Sequence, residues 1–219
     1  MEIQRITLES LQLPEAAATL SLPTGNNSDI WAGSFTFERG HRYMVSAASG
    51  TGKSSLCDFL FGNRIDYRGH ILFDGTDART FGIERWCTLR REALAYMPQE
   101  PVLFRGLSVA DNIEVKNRLT RRRSAAWINQ ALEALDVADK AAWPVERLSV
   151  GQRQRVAAVR ALCQPFSFLL LDEPVSHLDA GRARSLAALV DATAAEEGAS
   201  VIFTSVGAEL PLAAIRLTL

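Results

Sequence analysis

The sequence has few cysteines, little net charge and no long apolar run, and each shortage excludes a class of protein. Cys57, Cys87 and Cys163 lack metal-site spacing and cannot all pair with one another, so we expect reduced core residues rather than a disulfide framework. The 24 basic and 25 acidic residues nearly cancel, so no nucleic-acid partner is expected from bulk charge. No apolar run approaches the roughly 18 residues that cross a bilayer, and no signal-peptide pattern opens the chain.

One basic run, residues 121–123, interrupts this even charge. Three adjacent arginines are typical of the solvated start of a helix, and a contact with lipid headgroups or with a partner protein is the alternative. With 219 residues and neither repeats nor low-complexity segments, the chain is long enough for one α/β domain with a sizeable core.

A glycine-rich loop at residues 47–54 has the sequence AASGTGKS, which matches the phosphate-binding pattern G-x-x-x-x-G-K-[ST] except at its first position. The apolar segment 42–45 before it is typical of a buried strand, and residues 54–61 after it can start a helix. Backbone N–H groups of such a phosphate loop bind phosphate oxygens, and a flexible loop with a solvated lysine is the alternative. We expect nucleotide phosphates to contact Ala48, Ser49, Gly50, Thr51, Gly52, Lys53, Ser54 and Ser55, with the Ser54 hydroxyl also on Mg²⁺.

An acidic pair follows the apolar run 168–171, which is typical of a strand buried on both faces of a parallel sheet. Asp172 at the end of this strand is expected to hold Mg²⁺ through water. Glu173, the next residue, is expected to project towards the terminal phosphate and polarise the attacking water. A solvated pair of carboxylates is the alternative, but Pro174 stops the strand directly after them.

Between these two motifs lies a second glycine-containing loop, residues 148–152, with the sequence LSVGQ. This order of motifs resembles the ATP-binding cassette (ABC) ATPases, in which the second loop, called the signature loop, closes over the ATP of a partner subunit. The resemblance assigns that role to Ser149, Gly151 and Gln152. It implies an α/β fold: a P-loop NTPase core of mostly parallel sheet, an antiparallel β subdomain and a helical insertion at roughly residues 100–160. The motifs keep the family order along the whole chain, so a single domain over residues 1–219 is expected.

Three further segments resemble parts of the same family. Gln99, between the phosphate loop and the signature loop, resembles a glutamine that contacts Mg²⁺ or water and links two subdomains. Residues 176–179, SHLD, resemble the D-loop, which touches the site of the opposite subunit. Residues 69–75 resemble a hairpin of the family, with Asp74 and Gly75 as its turn.

Three positions depart from the family pattern. Ser205 stands where a histidine usually bonds the terminal phosphate, and a serine hydroxyl is shorter and cannot carry positive charge. Two alternatives follow: hydrolysis is slowed, or Ser205 acts through a water. Leu22 stands where an aromatic side chain usually stacks on the base, so it offers apolar contact without stacking. Val150 replaces a glycine of the signature loop and narrows the conformational freedom of the loop. Because Glu173 and Ser149 are retained, we expect a slow ATPase.

The resemblance implies the ATP-binding and ATP-hydrolysing subunit of a bacterial ABC transporter, with ATP and Mg²⁺ as its ligands. Its implied partners are a second nucleotide-binding domain, of the same or a related chain, and a separate transmembrane permease subunit. The chain would lie on the cytoplasmic face of the inner (plasma) membrane. Two alternatives remain open: a degenerate cassette that binds ATP as a regulatory subunit beside an active partner, and a non-transport ABC protein that acts on DNA or ribosomes.

Overall fold

The strands of the described residues form two β-sheets that differ in the direction of their strands. A computed structural model describes residues 1–14 and 28–219, so the predicted base contact Leu22 lies outside the described residues. The strands are β1 (Arg5–Gln12), β2 (Ser34–Glu38), β3 (Arg42–Ser46), β4 (Arg68–Phe73), β5 (Thr76–Asp77), β6 (Leu94–Met97), β7 (Phe168–Leu171), β8 (Ser200–Ser205) and β9 (Ile215–Thr218). The antiparallel sheet has the order β2-β1-β4-β5, and the parallel sheet has the order β6-β7-β8-β3-β9.

The described residues also contain α-helices, several of which start at a side-chain cap. The helices are α1 (Lys53–Phe61), α2 (Ile83–Glu92), α3 (Val109–Asn117), α4 (Ala125–Ala134), α5 (Val150–Leu162) and α6 (Ala180–Glu196). Side-chain oxygens of Ser108, Ser124 and Asp179 accept hydrogen bonds from the backbone N–H three residues on. Within residues 1–14 and 28–219, every helix is too short or too polar to cross a bilayer.

The parallel sheet is buried on both faces, as the apolar run 168–171 predicts. All four residues of β7 are buried, and successive side chains point to opposite faces. Leu169 and Leu171 join an apolar cluster with residues of α3, α5 and α6. Phe168 and Leu170 join a second cluster, which contains residues of α1 and of the antiparallel sheet. The sheet therefore separates these two apolar clusters.

The strand order brings distant parts of the chain to one edge of the parallel sheet. β8 lies between β3 and β7, with Ser46 beside Ser205 and Leu171 beside Phe203. Because parallel strands end at the same edge, the phosphate loop after β3 and Asp172 after β7 lie close to the end of β8. The predicted fold class is confirmed: a parallel core sheet, an antiparallel sheet and a helical segment that contains α3, α4 and α5.

The predicted hairpin turn is confirmed between β4 and β5. Asp74 and Gly75 form a two-residue loop, with φ angles of 48° and 84°. Positive φ at both positions is the geometry of the tight turn that matches strand twist. The Asp74 carboxylate also accepts hydrogen bonds from the N–H groups of Gln4 and Arg5, at 3.0 and 2.9 Å, which attaches the turn to the start of β1.

The basic run 121–123 does not form a solvated helix start. The Arg123 side chain is only 3% exposed, and its guanidinium pairs with Glu196 and Glu197 at 2.7 and 2.8 Å. It also lies over the ring of Trp127, 4.6 Å from the centroid. The prediction was wrong for Arg123 because acidic groups at the end of α6, far along the chain, compensate for its buried charge.

Two of the three cysteines lie in the core as predicted. Cys57 and Cys163 are buried, and burial raises the pKa of the Cys163 thiol to about 12. Cys87 is exposed, so its prediction as a core residue was wrong. The reason is that α2, which carries Cys87, lies on the surface and buries only Leu89.

Candidate functional site

The phosphate loop joins the end of β3 to the start of α1. Gly50 and Gly52 have φ angles of +80° and +99°, a region that L-residues other than glycine rarely adopt. A Cβ on Gly52 would lie 3.0 Å from Leu13 and 3.1 Å from Trp31, so glycine is also required there for space. Ala47, at the position that departs from the motif, does not have a positive φ and therefore does not require glycine.

Lys53 points back into the phosphate loop. It is 4% exposed, and its Nζ donates hydrogen bonds to the carbonyl oxygens of Ala47 and Ala48, at 3.1 and 2.7 Å. Burial lowers the pKa of the Lys53 ammonium, and the negative charges of Glu173 and Asp172 oppose that shift. The loop thus holds one buried cation among backbone carbonyls, where anionic phosphate oxygens would be better partners.

A cavity of about 240 Å³ brings six of the eight predicted phosphate contacts, all but Ala48 and Thr51, together with three residues from elsewhere in the chain. Its walls are Leu13, Ser49, Gly50, Gly52, Lys53, Ser54, Ser55, Gln99 and Glu173. Among the described residues, the walls do not include Ser149, Gly151, Gln152 or Ser205. The cavity therefore contains only one part of the predicted site.

Asp172 is 1% exposed at the end of β7. Its Oδ1 accepts a hydrogen bond of 2.6 Å from the Thr204 hydroxyl. Its Oδ2 is buried and has no hydrogen-bond partner among the residues the structure describes. A buried carboxylate oxygen without a partner is costly unless a cation compensates for it, and Mg²⁺ prefers oxygen ligands. Asp172 and the oxygens of Ser54 and Gln99 therefore fit a magnesium ion.

Glu173 has an unusual backbone at the point where the predicted chemistry occurs. Its φ is +48°, a region that costs a non-glycine residue about 1–3 kcal/mol. Its N–H donates to the Thr204 hydroxyl at 2.9 Å, and its carboxylate Oε2 accepts a hydrogen bond of 3.0 Å from Gln99 Nε2. Glu173, predicted to polarise water, is therefore in direct contact with Gln99, predicted to contact Mg²⁺ or water.

The signature loop ends at the exposed N-terminus of α5. The Ser149 hydroxyl accepts from the Gln152 N–H at 3.2 Å, and the Ser149 N–H donates to Gln152 Oε1 at 2.8 Å, which forms a capping box. Val150 is 42% exposed. A Cβ on Gly151 would lie 2.7 Å from the carbonyl oxygen of His177 in the D-loop. The signature loop thus packs on the D-loop of its own chain and faces outward.

Ser205 is 3% exposed and donates its hydroxyl to the Ala208 carbonyl oxygen at 3.0 Å. This hydrogen bond turns the side chain towards the following segment, and the predicted contact with the terminal phosphate stays a prediction.

Sequence reasoning missed two residues of the site. Thr204 joins the backbone of Glu173 to the carboxylate of Asp172, and Leu13 forms the apolar wall of the cavity. Thr204 follows from the strand order, because the last residues of a strand beside β7 lie next to Asp172, but no local pattern shows which strand that is. Nothing in the sequence around Leu13 identifies it.

Comparison with known proteins gives the family to which the motifs and the fold point. The family model described as ABC transporter matches residues 32–176, more than half of the 219-residue chain. The glutathione/L-cysteine transport system ATP-binding/permease protein CydD of Escherichia coli is 37% identical over 158 residues, which cover 67% of this chain and 25% of the relative. The Fe(3+) ions import ATP-binding protein FbpC of Pseudomonas fluorescens is 35% identical over 182 residues, which cover 78% of this chain and 48% of the relative. The chain thus spans a quarter to a half of the length of these curated relatives.

Solved structures show the same fold. The dimeric structure of MJ0796, a bacterial ABC transporter cassette, has a TM-score of 0.77 at 21% identity, covering 97% of this chain and 94% of that one. A bacterial Atm1-family ABC exporter with ATP bound has a TM-score of 0.70 at 25% identity, covering 93% of this chain and 35% of that one. Sequence match, fold and site agree, and the chain belongs to the ABC transporter family as an ATP-binding cassette.

Proposed function

We propose that this cassette hydrolyses ATP as the energy-coupling subunit of a transporter. The observation that carries the proposal is the single cavity in which Lys53 and the glycines of the phosphate loop meet Gln99 and Glu173. A phosphate-binding surface and a carboxylate that can orient water are the two requirements of a P-loop ATPase.

The chemistry is divided among residues of the cavity. Backbone N–H groups of the phosphate loop and the Lys53 ammonium bind the β- and γ-phosphates of ATP. Glu173 accepts a hydrogen bond from the attacking water and polarises it, while Gln99 holds the Glu173 carboxylate in place. Ser54, Gln99 and Asp172 would hold Mg²⁺, which when bound supplies positive charge against the phosphate oxygens.

A second cassette completes the site. The outward N-terminus of α5 presents Ser149, Gly151 and Gln152, and a helix N-terminus attracts anions. We place these residues against the γ-phosphate of ATP held by the phosphate loop of a partner cassette. ATP thereby joins two cassettes, and phosphate loss releases them.

A membrane subunit is the proposed recipient of this motion, with the cassette on the cytoplasmic face of the inner membrane. A cavity of about 450 Å³ lies beside the Gln99 loop, between α1 and the helical segment. Apolar side chains such as Phe61 and Val102 line it together with the cations Lys116 and Arg160. This groove would receive a helix of the permease. Import and transport functions in the names of the relatives support the role of a transporter subunit.

Steady-state ATP hydrolysis by the purified chain tests the proposal. Turnover by Glu173→Gln should be about a hundred- to ten-thousandfold lower than wild-type turnover, with ATP binding retained, because only the group that activates water is lost. Ser205→His should raise turnover if the serine slows hydrolysis. ATP binding without Glu173-dependent turnover would contradict the proposal and favour the degenerate regulatory cassette, for which the Ser205–Ala208 hydrogen bond is the structural support.

A further inference from the structure

Gln154 is a buried polar residue that the proposed chemistry does not use. It lies on α5 and is 1% exposed. Its Nε2 donates hydrogen bonds to the Glu173 carbonyl oxygen at 3.1 Å and to Ser176 Oγ at 3.3 Å. Its Oε1 is buried without a hydrogen-bond partner among the described residues. A methionine of similar shape would avoid that cost, so stability alone does not explain a glutamine here.

The carbonyl group that Gln154 holds belongs to the residue with the strained backbone. Glu173 has its N–H bonded to Thr204 and its C=O bonded to Gln154 and Ser176. These contacts hold its φ at +48°. Since the direction of a side chain follows from its backbone, the position of Gln154 affects where the Glu173 carboxylate points.

The helix that carries Gln154 also carries the signature loop. Gly151 and Gln154 are three residues apart and therefore lie on one face of α5. That face contacts the D-loop, because a Cβ on Gly151 would lie 2.7 Å from the His177 carbonyl oxygen. A single rigid helix thus connects the exposed cap Ser149 to the backbone of Glu173.

We propose that Gln154 is a positioning residue that couples the signature loop to Glu173 of the same chain. The inference rests on the proposed function, in which the signature loop contacts ATP held by a partner cassette. Movement of α5 on that contact shifts the Gln154 amide and with it the Glu173 carbonyl group. ATP held by the partner's phosphate loop thereby sets the position of the Glu173 carboxylate in the site formed by this chain's own phosphate loop.

The chain offers a matched control for this proposal. Gln164 is also 1% exposed, donates its Nε2 to a backbone carbonyl, that of Leu94 at 2.8 Å, and has a buried Oε1 without a partner among the described residues. Leu94 begins β6, at the edge of the sheet opposite the phosphate loop. Gln154→Met and Gln164→Met each remove a buried hydrogen bond to a backbone carbonyl oxygen, and Gln154→Met also removes the bond to Ser176. Only the Gln154 bonds reach the site.

Steady-state kinetics of the full chain is the first test. Gln154→Met should lower kcat roughly ten- to a hundredfold, as expected for a displaced reacting group. The KM for ATP should stay within about twofold, because the phosphate loop is unchanged. Gln164→Met should keep the wild-type kcat, and both variants should melt at the same temperature. An unchanged kcat in Gln154→Met, or an equal loss in both variants, overturns the proposal.

Amide hydrogen exchange provides a test that needs no turnover. In a Glu173→Gln background, added ATP should protect residues 173–179 from exchange. The additional change Gln154→Met should remove this protection, and Gln164→Met should keep it. Equal protection in both double variants overturns the coupling. A wild-type chain without turnover whose exchange responds as expected would contradict the proposed hydrolysis and leave the coupling supported.

Discussion

The phosphate loop lies on a buried sheet, whereas the signature loop lies at the exposed end of a helix. Lys53 is 4% exposed and points into a cavity formed by its own chain. Val150 is 42% exposed, and its neighbour Ser149 caps α5 at the surface. One half of the proposed site is thus pre-organised within the chain, and the other half offers its donors outward. Under the proposed function, a single chain would bind nucleotide and would require a second chain for chemistry.

The two halves share apolar burial and differ in their polar contacts. Apolar burial on both faces of the parallel sheet supports the phosphate loop, and one of these clusters extends into the helical segment. The helical segment around the signature loop is in addition held by buried arginines. Arg123 pairs with Glu196 and Glu197, and Arg155 donates to the Leu135 carbonyl oxygen at 2.6 Å. Directional contacts of this kind are few, so the helical segment is the half that single substitutions should affect selectively.

The largest expected difference is between Lys53→Met and Ser149→Arg. Lys53→Met should abolish ATP binding by the isolated chain and with it all turnover. Ser149→Arg should leave ATP binding by the monomer intact and lower turnover at least about a hundredfold, because it places bulk and charge where the partner's phosphate would lie. Calorimetric titration with ATP and steady-state hydrolysis measure the two effects separately.

Ser124→Arg is the control for helix capping, since Ser124 caps α4 as Ser149 caps α5. It should cost about 1 kcal/mol of stability and leave turnover unchanged. If Ser149→Arg weakened monomer ATP binding as strongly as Lys53→Met, both halves would belong to one chain's site and the comparison would fail.

A smaller effect is expected from Arg123→Met, which removes the buried link to α6. The Glu197 side chain is 7% exposed and would lose the more buried of its two arginine partners. We expect a loss of about 2–3 kcal/mol in the free energy of unfolding, measured by urea denaturation. Arg118→Met removes only an exposed pair with Glu114 and should cost less than about 0.5 kcal/mol. Equal losses in the free energy of unfolding for Arg123→Met and Arg118→Met would show that burial does not strengthen the ion pairs of Arg123.

The smallest expected effect concerns Lys116 on α3. Burial, together with the nearby charge of Arg160, lowers its pKa from 10.5 to about 8. Below pH 8 Lys116 is charged in the folded protein, and its buried charge lowers the free energy of unfolding by the full amount. Between pH 8 and 10.5 the unfolded chain binds more protons than the folded one, so this contribution to stability rises with pH.

Lys116→Met should therefore stabilise the protein by about 1 kcal/mol at pH 7 and by less at pH 10. Urea unfolding at both pH values measures the difference. Lys140→Met is the control, because the Lys140 ammonium pairs with Asp139 at 2.6 Å. If Lys116→Met raised the free energy of unfolding by the same amount at pH 7 and pH 10, the charge of the buried lysine would not be the cause of the instability.

Much of the fold and part of the site could be predicted from the sequence because the signals are local. Glycines at residues 50 and 52 adopt the positive φ that a phosphate loop requires, and β7 is buried as its apolar run indicates. Asp74 and Gly75 also adopt positive φ angles and form the predicted turn. The errors at Arg123 and Cys87 arose where exposure depends on which distant segment covers a side chain.

The identity and order of the motifs can be read along the chain, since each motif depends on a few adjacent residues. Which side chains support the motifs depends on how the strands and helices pack. Thr204 bonds Asp172 and Glu173, and Gln154 holds the Glu173 carbonyl group. These partners lie on different strands and helices, so they meet only when the sheet and α5 have packed. Their contacts depend on strand order and helix position, which no local pattern of residues encodes.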